Sequence, residues 1–465
     1  MHKPVLAALL LAAVPATAAV PADPWHAQAR TILSDSVGMR TSLGHTPVKQ
    51  LVDYLRARFR AAGVPDAAMT VVPIDQTQAL VVRIAGRDRS RKALLLSSHM
   101  DVVDANPKDW TRSPFVLVEE NGYFYGRGTD DTKGGGMAQL AVVIERIAKS
   151  GKRPARDLIF AFVGDEETTM NTTMALTGKH KALIDAEYEI DADGASGVLD
   201  HEYRPVIYHI DASEKTYADY SVTVTNPGGH SSLPRKDNAI YELADALKGI
   251  QAYRFPVRSN AITRSSLATL GKLRHDDLGR AMAEFAAQPV EGAAAERIAA
   301  DPTYVGQIRT TCVATLLEGG HAPNALPARA VANVNCRIFP GTSPEEVMAA
   351  LQRAAGPGTK VAINAKYDVP RAGPVSPPNP ALYAAVEKAV HQHYPGVPIA
   401  YAQPSGASDG REFRIAGIPS YGTSGLFQRD EDEFAHGLNE RVRVDAFYNS
   451  VDYMWTLVTE LAPLG

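Results

Sequence analysis

A short apolar run, Leu94-Leu95-Leu96, leads into Ser97-Ser98-His99-Met100-Asp101. In an extended chain residues two apart face the same way, so His99 can bind a metal while Asp101 fixes its ring. A second segment, Gly126-Arg127-Gly128-Thr129-Asp130-Asp131-Thr132-Lys133-Gly134-Gly135-Gly136, is too glycine-rich for ordinary surface, and a carboxylate at such a turn can be held against a metal. Its spacing fits neither the P-loop nor the dinucleotide fingerprint, and two aspartates would repel phosphate. The third segment is Val163-Gly164-Asp165-Glu166-Glu167, where three adjacent carboxylates are costly unless cations neutralise them. One glutamate can ligate while its neighbour serves as general base. Asp193, with Asp191 as its rival, and His436 in Ala435-His436-Gly437-Leu438-Asn439-Glu440 complete the set. Taken singly, each of these also reads as a solvated strand end or turn. Together, two histidines and three carboxylates, without thiolate, suit two zinc ions bridged by one carboxylate.

Elements that end in loops must carry these residues. Short apolar runs at Ala79–Ile84, Ala93–Ser97 and Asp157–Val163 predict strands, and Met137, Leu140, Ala141, Ile144 and Ile147 predict a helix that Gly151 ends. An earlier helix holds Val48, Leu51, Val52, Leu55 and Phe59 and stops at Gly63. Strands alternating with helices predict an α/β fold with a doubly wound, mainly parallel sheet. Near Ala212 the pattern changes: strand Tyr217–Thr225, a Pro-Gly-Gly turn, a helix over 238–252, two cysteine-bearing strands, a helix opened by the capping box Ser343-Pro344-Glu345-Glu346, and strand Lys360–Tyr367. Residues 255–308 are Ala-rich and partly helical, an insertion in this second unit. From Ala381 the α/β pattern resumes, ending in a helix with Phe447, Val451, Met454, Trp455 and Val458 on one face.

The chain has 465 residues, which at roughly 150 per domain allows two to four domains. With 48 basic and 52 acidic residues the formal net charge is -4, so no global field favours nucleic acid or an anionic membrane. Lys3, the apolar run Val5 to Val14 and Ala16-Thr17-Ala18 read as a cleaved export signal, shorter than the ~20 residues a spanning helix needs. Cys312 and Cys336 alone exclude a cysteine zinc site. In an oxidising compartment they can pair, and two buried free thiols are the other reading.

The motifs in order, His-x-Asp, Gly-x-Gly-x-x-Asp-x-Lys-Gly, Asp-Glu-Glu, Asp-Gly, Gly-His-Ser-Ser, Asn-x-x-Pro and Ala-His-Gly-x-x-Glu, resemble the co-catalytic dizinc exopeptidase family (metallopeptidase family M20) from about His99 to Glu440. That family includes carboxypeptidase G, aminoacylase, carnosinase-like dipeptidases and succinyl-diaminopimelate desuccinylase. The resemblance implies two zinc ions per chain bridged by Asp131, with His99 and Asp193 on one and Glu167 and His436 on the other. Asp130 stands at a variable place of the motif, and the spacing of Asp131 to Lys133 selects Asp131. Asp193 is preferred over Asp191 because the family's ligand directly precedes a glycine or proline. Further implications are Glu166 as general base, Asp101 as orienter of His99, His230 on the oxyanion, Asn324 and Arg337 on the substrate, and a cis peptide after Asp131. Ser405–Arg411 resembles a further family loop, to which no role is given.

The function this implies is an exported hydrolase of the dipeptidase or carboxypeptidase type. It would cleave peptide or amide bonds of small substrates by Glu-assisted attack of a zinc-bridging hydroxide, with N-acyl-amino-acid deacylation at the same site as the alternative. A non-catalytic binding relative would lack Glu166 or a ligand, and a metallophosphoesterase is the reading from a different chemistry. The expected layout is a signal over 1–18, a catalytic unit over 19–213 and 371–465, and a smaller α+β lid and dimerisation unit over 214–370. Location in the periplasm or outside the cell, a small-molecule substrate and a homodimer through the lid complete the expectations.

Overall fold

The computed structural model describes residues 23–45, 47–366 and 369–465, and the export signal read over 1–18 lies outside the described residues. The strands foreseen near residues 94 and 158 form as Leu94–His99 and Leu158–Val163, buried throughout and paired in parallel. Their side chains alternate between two cores. Leu94, Leu96, Leu158, Phe160 and Phe162 enter the larger one, while Leu95, Ile159, Ala161 and Val163 enter the other. An unbroken apolar run is what a strand covered on both faces requires. Helices Pro47–Ala62, Ala138–Ser150 and Val444–Leu461 contribute to the larger core, and Leu176 and Phe413 of Asn171–Thr177 and Gly410–Ile415 to the other. Gly151, left-handed at φ 66°, ends Ala138–Ser150 as its sequence foretells.

The sheet has ten strands. From one edge they run Met69–Ile74, Thr77–Ile84, Leu158–Val163, Leu94–His99, Glu189–Asp191, Ser420–Gly422, Pro205–Asp211, Gly197–Leu199 and Phe427–Gln428, and Ile399–Ala402 pairs alongside Pro205–Asp211. The four strands from Leu158–Val163 to Ser420–Gly422 are parallel, and antiparallel pairs lie outside them. The fold is thus the expected mixed α/β architecture with a mainly parallel sheet. His99, Glu166, Glu167 and Asp193 all follow carboxyl ends of this parallel block, where ligands of open α/β sheets collect.

A second, antiparallel sheet has the order Thr311–Gly319, Arg329–Ile338, Thr216–Thr225, Lys360–Ile363 and packs under helices Ala239–Ala252 and Pro344–Ala355. Ser343 and Glu346 form the foreseen capping box. Cys312 and Cys336 stand opposite each other in register, 4.1 Å apart at Cα, and are joined as a disulfide, which decides between the two readings of these thiols. The last strand stops at Ile363, short of the expected Tyr367, which lies outside the described residues.

Residues 255–308 form helices Ala261–Leu273, Asp277–Ala287 and Ala293–Ala299, the first two capped by Asn260 and Asp276. They enclose an apolar cluster of their own, including Leu267, Met282, Phe285 and Ile298. Ile262, however, turns into the core of the large sheet, and its helix packs on strand Ile399–Ala402. Asn260 Nδ2 donates to Gln403 Oε1 at 2.7 Å and Gln307 Nε2 to the Gln403 carbonyl at 2.9 Å. Phe255, at the start of the inserted segment, packs against the core of the smaller sheet, so the segment touches both sheets. No helix among the described residues is long and apolar enough to cross a membrane.

Candidate metal centre

His99 closes its strand with a ring that is almost wholly buried. Its Nδ1 lies 2.9 Å from the Asp101 carbonyl oxygen, which only accepts, so Nδ1 carries the proton. Nε2 then faces Asp131 Oδ1 at 2.9 Å and Asp193 Oδ2 at 3.2 Å. A lone pair cannot rest against two carboxylate oxygens unless a positive charge sits among them. Burial opposes charge on this ring, yet Asp193, Asp101 and Asp131 raise its pKa well above the ordinary value. The carboxylates therefore call for a cation, whether a proton or a metal ion.

The same holds at His436, whose Nε2 is 3.0 Å from both Asp131 Oδ2 and Glu167 Oε2. Hydrogen bonds donated to Asp131 and then to Glu167 push this half-exposed imidazole up to about 10. Asp131 thus meets one ring with each of its oxygens. Burial would raise its pKa, but His436 and His99 outweigh that and hold the carboxyl below its usual range. Potential ligand atoms of His99, Asp131 and Asp193 lie within 4.8 Å of one another, as do those of Asp131, Glu167 and His436. Nitrogen and carboxylate donors in two groups that share one carboxylate fit a pair of zinc-class ions.

The local chain explains how these atoms meet. The Asp131–Thr132 peptide is cis, in line with the family resemblance. The glycines that follow permit close approach: a Cβ on Gly134 would lie 2.2 Å from the Thr129 carbonyl oxygen, and one on Gly136 2.8 Å from that of Ala192. Asp191 Oδ1 accepts from the Asp193 amide at 3.1 Å and so shapes the turn that aims Asp193 at His99. Of these two rivals, Asp193 is the one that reaches the ring. Asp101 does more than face the imidazole. Its carboxylate lies 3.5 Å from Nδ1 and accepts from the amides of Glu166 and Glu167, each at 3.1 Å. Of the three adjacent carboxylates, Asp165 turns away and is satisfied by Asn171 and Thr172, with amide bonds of 2.7 and 2.9 Å. Burial, opposed by His99 and reinforced by Asp409, Asp193 and Glu167, pushes the Glu166 carboxyl well up.

Glu440, quoted in a motif but given no role from sequence, proves central to this geometry. It is fully buried, and its Oε1 accepts from the amides of Gly128, Asp130 and Asp131 at 3.0, 2.9 and 3.1 Å. Its Oε2 takes 2.5 Å from Arg127 Nη1. No spacing rule reveals such a bond, because Glu440 and the loop are some 310 residues apart. Removing one side of a buried, hydrogen-bonded charge pair costs about 3–5 kcal/mol. Glu440→Ala should therefore lower the urea midpoint substantially and weaken metal retention. An unaltered midpoint would show that this carboxylate does not hold the loop.

The remaining expected residues are placed differently. Arg337 lies over the Tyr217 ring and donates from Nη1 to the Ser405 carbonyl at 2.8 Å. Residues 404 and 406–408, beside Ser405, border a cavity of about 380 Å³ that also contains Asp131 and Asp193. His230 and Asn324 are exposed, in and beside a two-stranded ribbon of Gly229–His230 with Ala325–Leu326, and the Asn324 carbonyl accepts from Ser231. Neither borders that cavity. Within one chain, His230 and Asn324 are not brought to the metal ligands.

Residues 95–460 match Peptidase family M20/M25/M40. The chain is 27% identical over 392 residues to a probable carboxypeptidase S-like 2 of Dictyostelium discoideum, covering 82% of this chain and 73% of that one. It is also 27% identical over 385 residues to the N-fatty-acyl-amino acid synthase/hydrolase PM20D1 of Xenopus tropicalis, covering 81% and 74%. A crystal structure of the M20 family metallo-carboxypeptidase Sso-CP2 from Sulfolobus solfataricus superposes with a TM-score of 0.68 at 19% identity, covering 93% of this chain and 98% of that one. This chain is a hydrolytic enzyme and belongs to the M20/M25/M40 peptidase family.

Proposed function

We propose that the enzyme is an exported dizinc hydrolase of peptide or amide bonds in small substrates, of the dipeptidase or carboxypeptidase type. The observation that carries this reading is Asp131, which presents one oxygen to His99 and the other to His436. His99 and Asp193 would hold one ion, Glu167 and His436 the other, and Asp131 both. When bound, such ions supply Lewis acidity that activates water and polarises a carbonyl. Glu166 takes the proton of the attacking water and returns it to the leaving amine. Asp101 holds the Glu166 backbone and the His99 ring in one frame.

The cavity beside the ligands is lined by Asp191, Asp211 and Glu214, the last paired with Arg414 at 2.7 Å, and this polar wall suits a small polar substrate. Arg337 would meet a substrate carboxylate from the smaller sheet, while Asn324, like His230, would have to come from a partner copy. The second reading, N-acyl-amino-acid hydrolysis, rests on the similarity to the PM20D1 proteins. In this reading residues 19–213 and 371–465 form the metal-binding unit and 214–370 the lid, with 255–308 inserted. Export by a leader over 1–18 agrees with the disulfide, a bond of oxidising compartments. A homodimer through the lid is supported by the edge strand Thr311–Gly319, where Val313, Leu316 and Leu317 are 61%, 53% and 68% exposed. A product screen of dipeptides against N-acyl amino acids, with added Zn²⁺ and then with a chelator, tests the proposal. Turnover of dipeptides that is lost on chelation and restored by about two zinc per chain is expected. Undiminished turnover by zinc-free protein would refute it.

A further inference from the structure

Outside the catalytic centre, three helices converge on a second group of ligand-type side chains. Asp452, on the closing helix Val444–Leu461, receives His26 Nε2 of Pro24–Val37 on Oδ1 at 3.0 Å. His393, just beyond Pro380–His391, meets Oδ2 through its own Nε2 at 3.1 Å. Ligand atoms of Asp23, His26 and Asp452 all lie within 4.8 Å of one another. A carboxylate set between two imidazoles at about 3 Å repeats the arrangement of Asp131 between His99 and His436.

Charge also asks for a cation here. Asp23 and Asp452 bring two carboxylates together, and the guanidinium that feels both, Arg146, lies over the Trp455 ring at 3.8 Å. It forms no ion pair with either among the described residues. Asp23 caps its helix by accepting the Trp25 amide on Oδ1 at 2.6 Å, so Oδ2 is spared for a ligand. The His26 ring is stacked on Tyr448, with centroids 4.8 Å apart, which fixes its direction. Side chains of His26, His393 and Asp452 retain 19%, 27% and 22% of their exposure, enough for an ion to enter.

We propose that Asp23, His26 and Asp452 bind a divalent transition ion of the zinc class, with His393 holding Asp452 in place. One imidazole nitrogen and carboxylate oxygens form a donor set such ions accept, and a ligand's outer partner sets its orientation. The ion ties the first described helix to the closing helix Val444–Leu461, and His393 brings in the end of Pro380–His391. It shares no residue with the catalytic cluster, so the proposal stands independently of the dizinc reading.

Zinc-loaded full-length enzyme, passed through a desalting column, is compared with His26→Gln by metal analysis. Glutamine can still donate to Asp452 but is a poor ligand, so the variant should hold one zinc fewer while kcat/KM stays within about twofold. The difference, not the total, carries the result, and it persists even if the catalytic centre holds fewer ions than proposed. Asp23→Asn is the second variant, because asparagine keeps the helix cap and removes the carboxylate. It should weaken zinc binding at this site at least tenfold, read by competition with a chromogenic chelator. Equal zinc content in parent and His26→Gln, or unchanged affinity in Asp23→Asn, would overturn the proposal.

Discussion

Glu166→Gln should lower kcat by about 10²–10⁴-fold, the usual worth of a positioned general base, while the metal content stays that of the parent. The side chain is not in either group of converging ligand atoms, so its replacement removes no ligand. Glutamine is nearly isosteric, and the main-chain bond from residue 166 to Asp101 is untouched. What disappears is a carboxylate, while the chain around it is kept. Steady-state kinetics on a cleaved dipeptide, with zinc measured on the same sample, separates a lost base from a lost ion. Activity within tenfold of the parent would remove Glu166 from this role.

The second large effect concerns His230, which one chain leaves exposed and away from the cavity of the metal ligands. If it serves the site of a partner copy, His230→Ala should be inactive by about 10²–10³-fold, the loss expected for an oxyanion donor. Glu166→Ala should also be inactive, yet an equal refolded mixture of the two should recover. Random pairing makes about half the dimers mixed, and each mixed dimer holds one intact site, so roughly a quarter of parental activity returns. Monomeric elution on sizing together with no recovery would place the action of His230 within its own chain or nowhere.

How much of this was legible before folding depended on distance along the chain. The strands Leu94–His99 and Leu158–Val163 announce themselves because both their faces are covered, so every residue is apolar or small until the ligands begin. Helix ends at Gly151 and Ser343 were readable because caps are local. Strand Met69–Ile74 escaped notice: it contains Pro73 and sits at the sheet edge, where a missing amide is tolerated. Strands of three residues, such as Glu189–Asp191 and Ser420–Gly422, are too short to show a period. The ligand types and order were visible because chemistry restricts them. The grip of Glu440 on the 128–131 amides and the position of His230 were not, since both are matters of tertiary distance.

The inserted helices change the mechanics of the whole frame. Apart from side-chain bonds such as that of Arg337 to the Ser405 carbonyl, the smaller sheet joins the larger by its two chain crossings. Ile262 in the large core and the paired bonds to Gln403 add a third strut away from those crossings. Three supports define a plane, so a rigid swing must first pull an apolar side chain from its socket and break both bonds. Movement between the sheets should then be infrequent and stepwise.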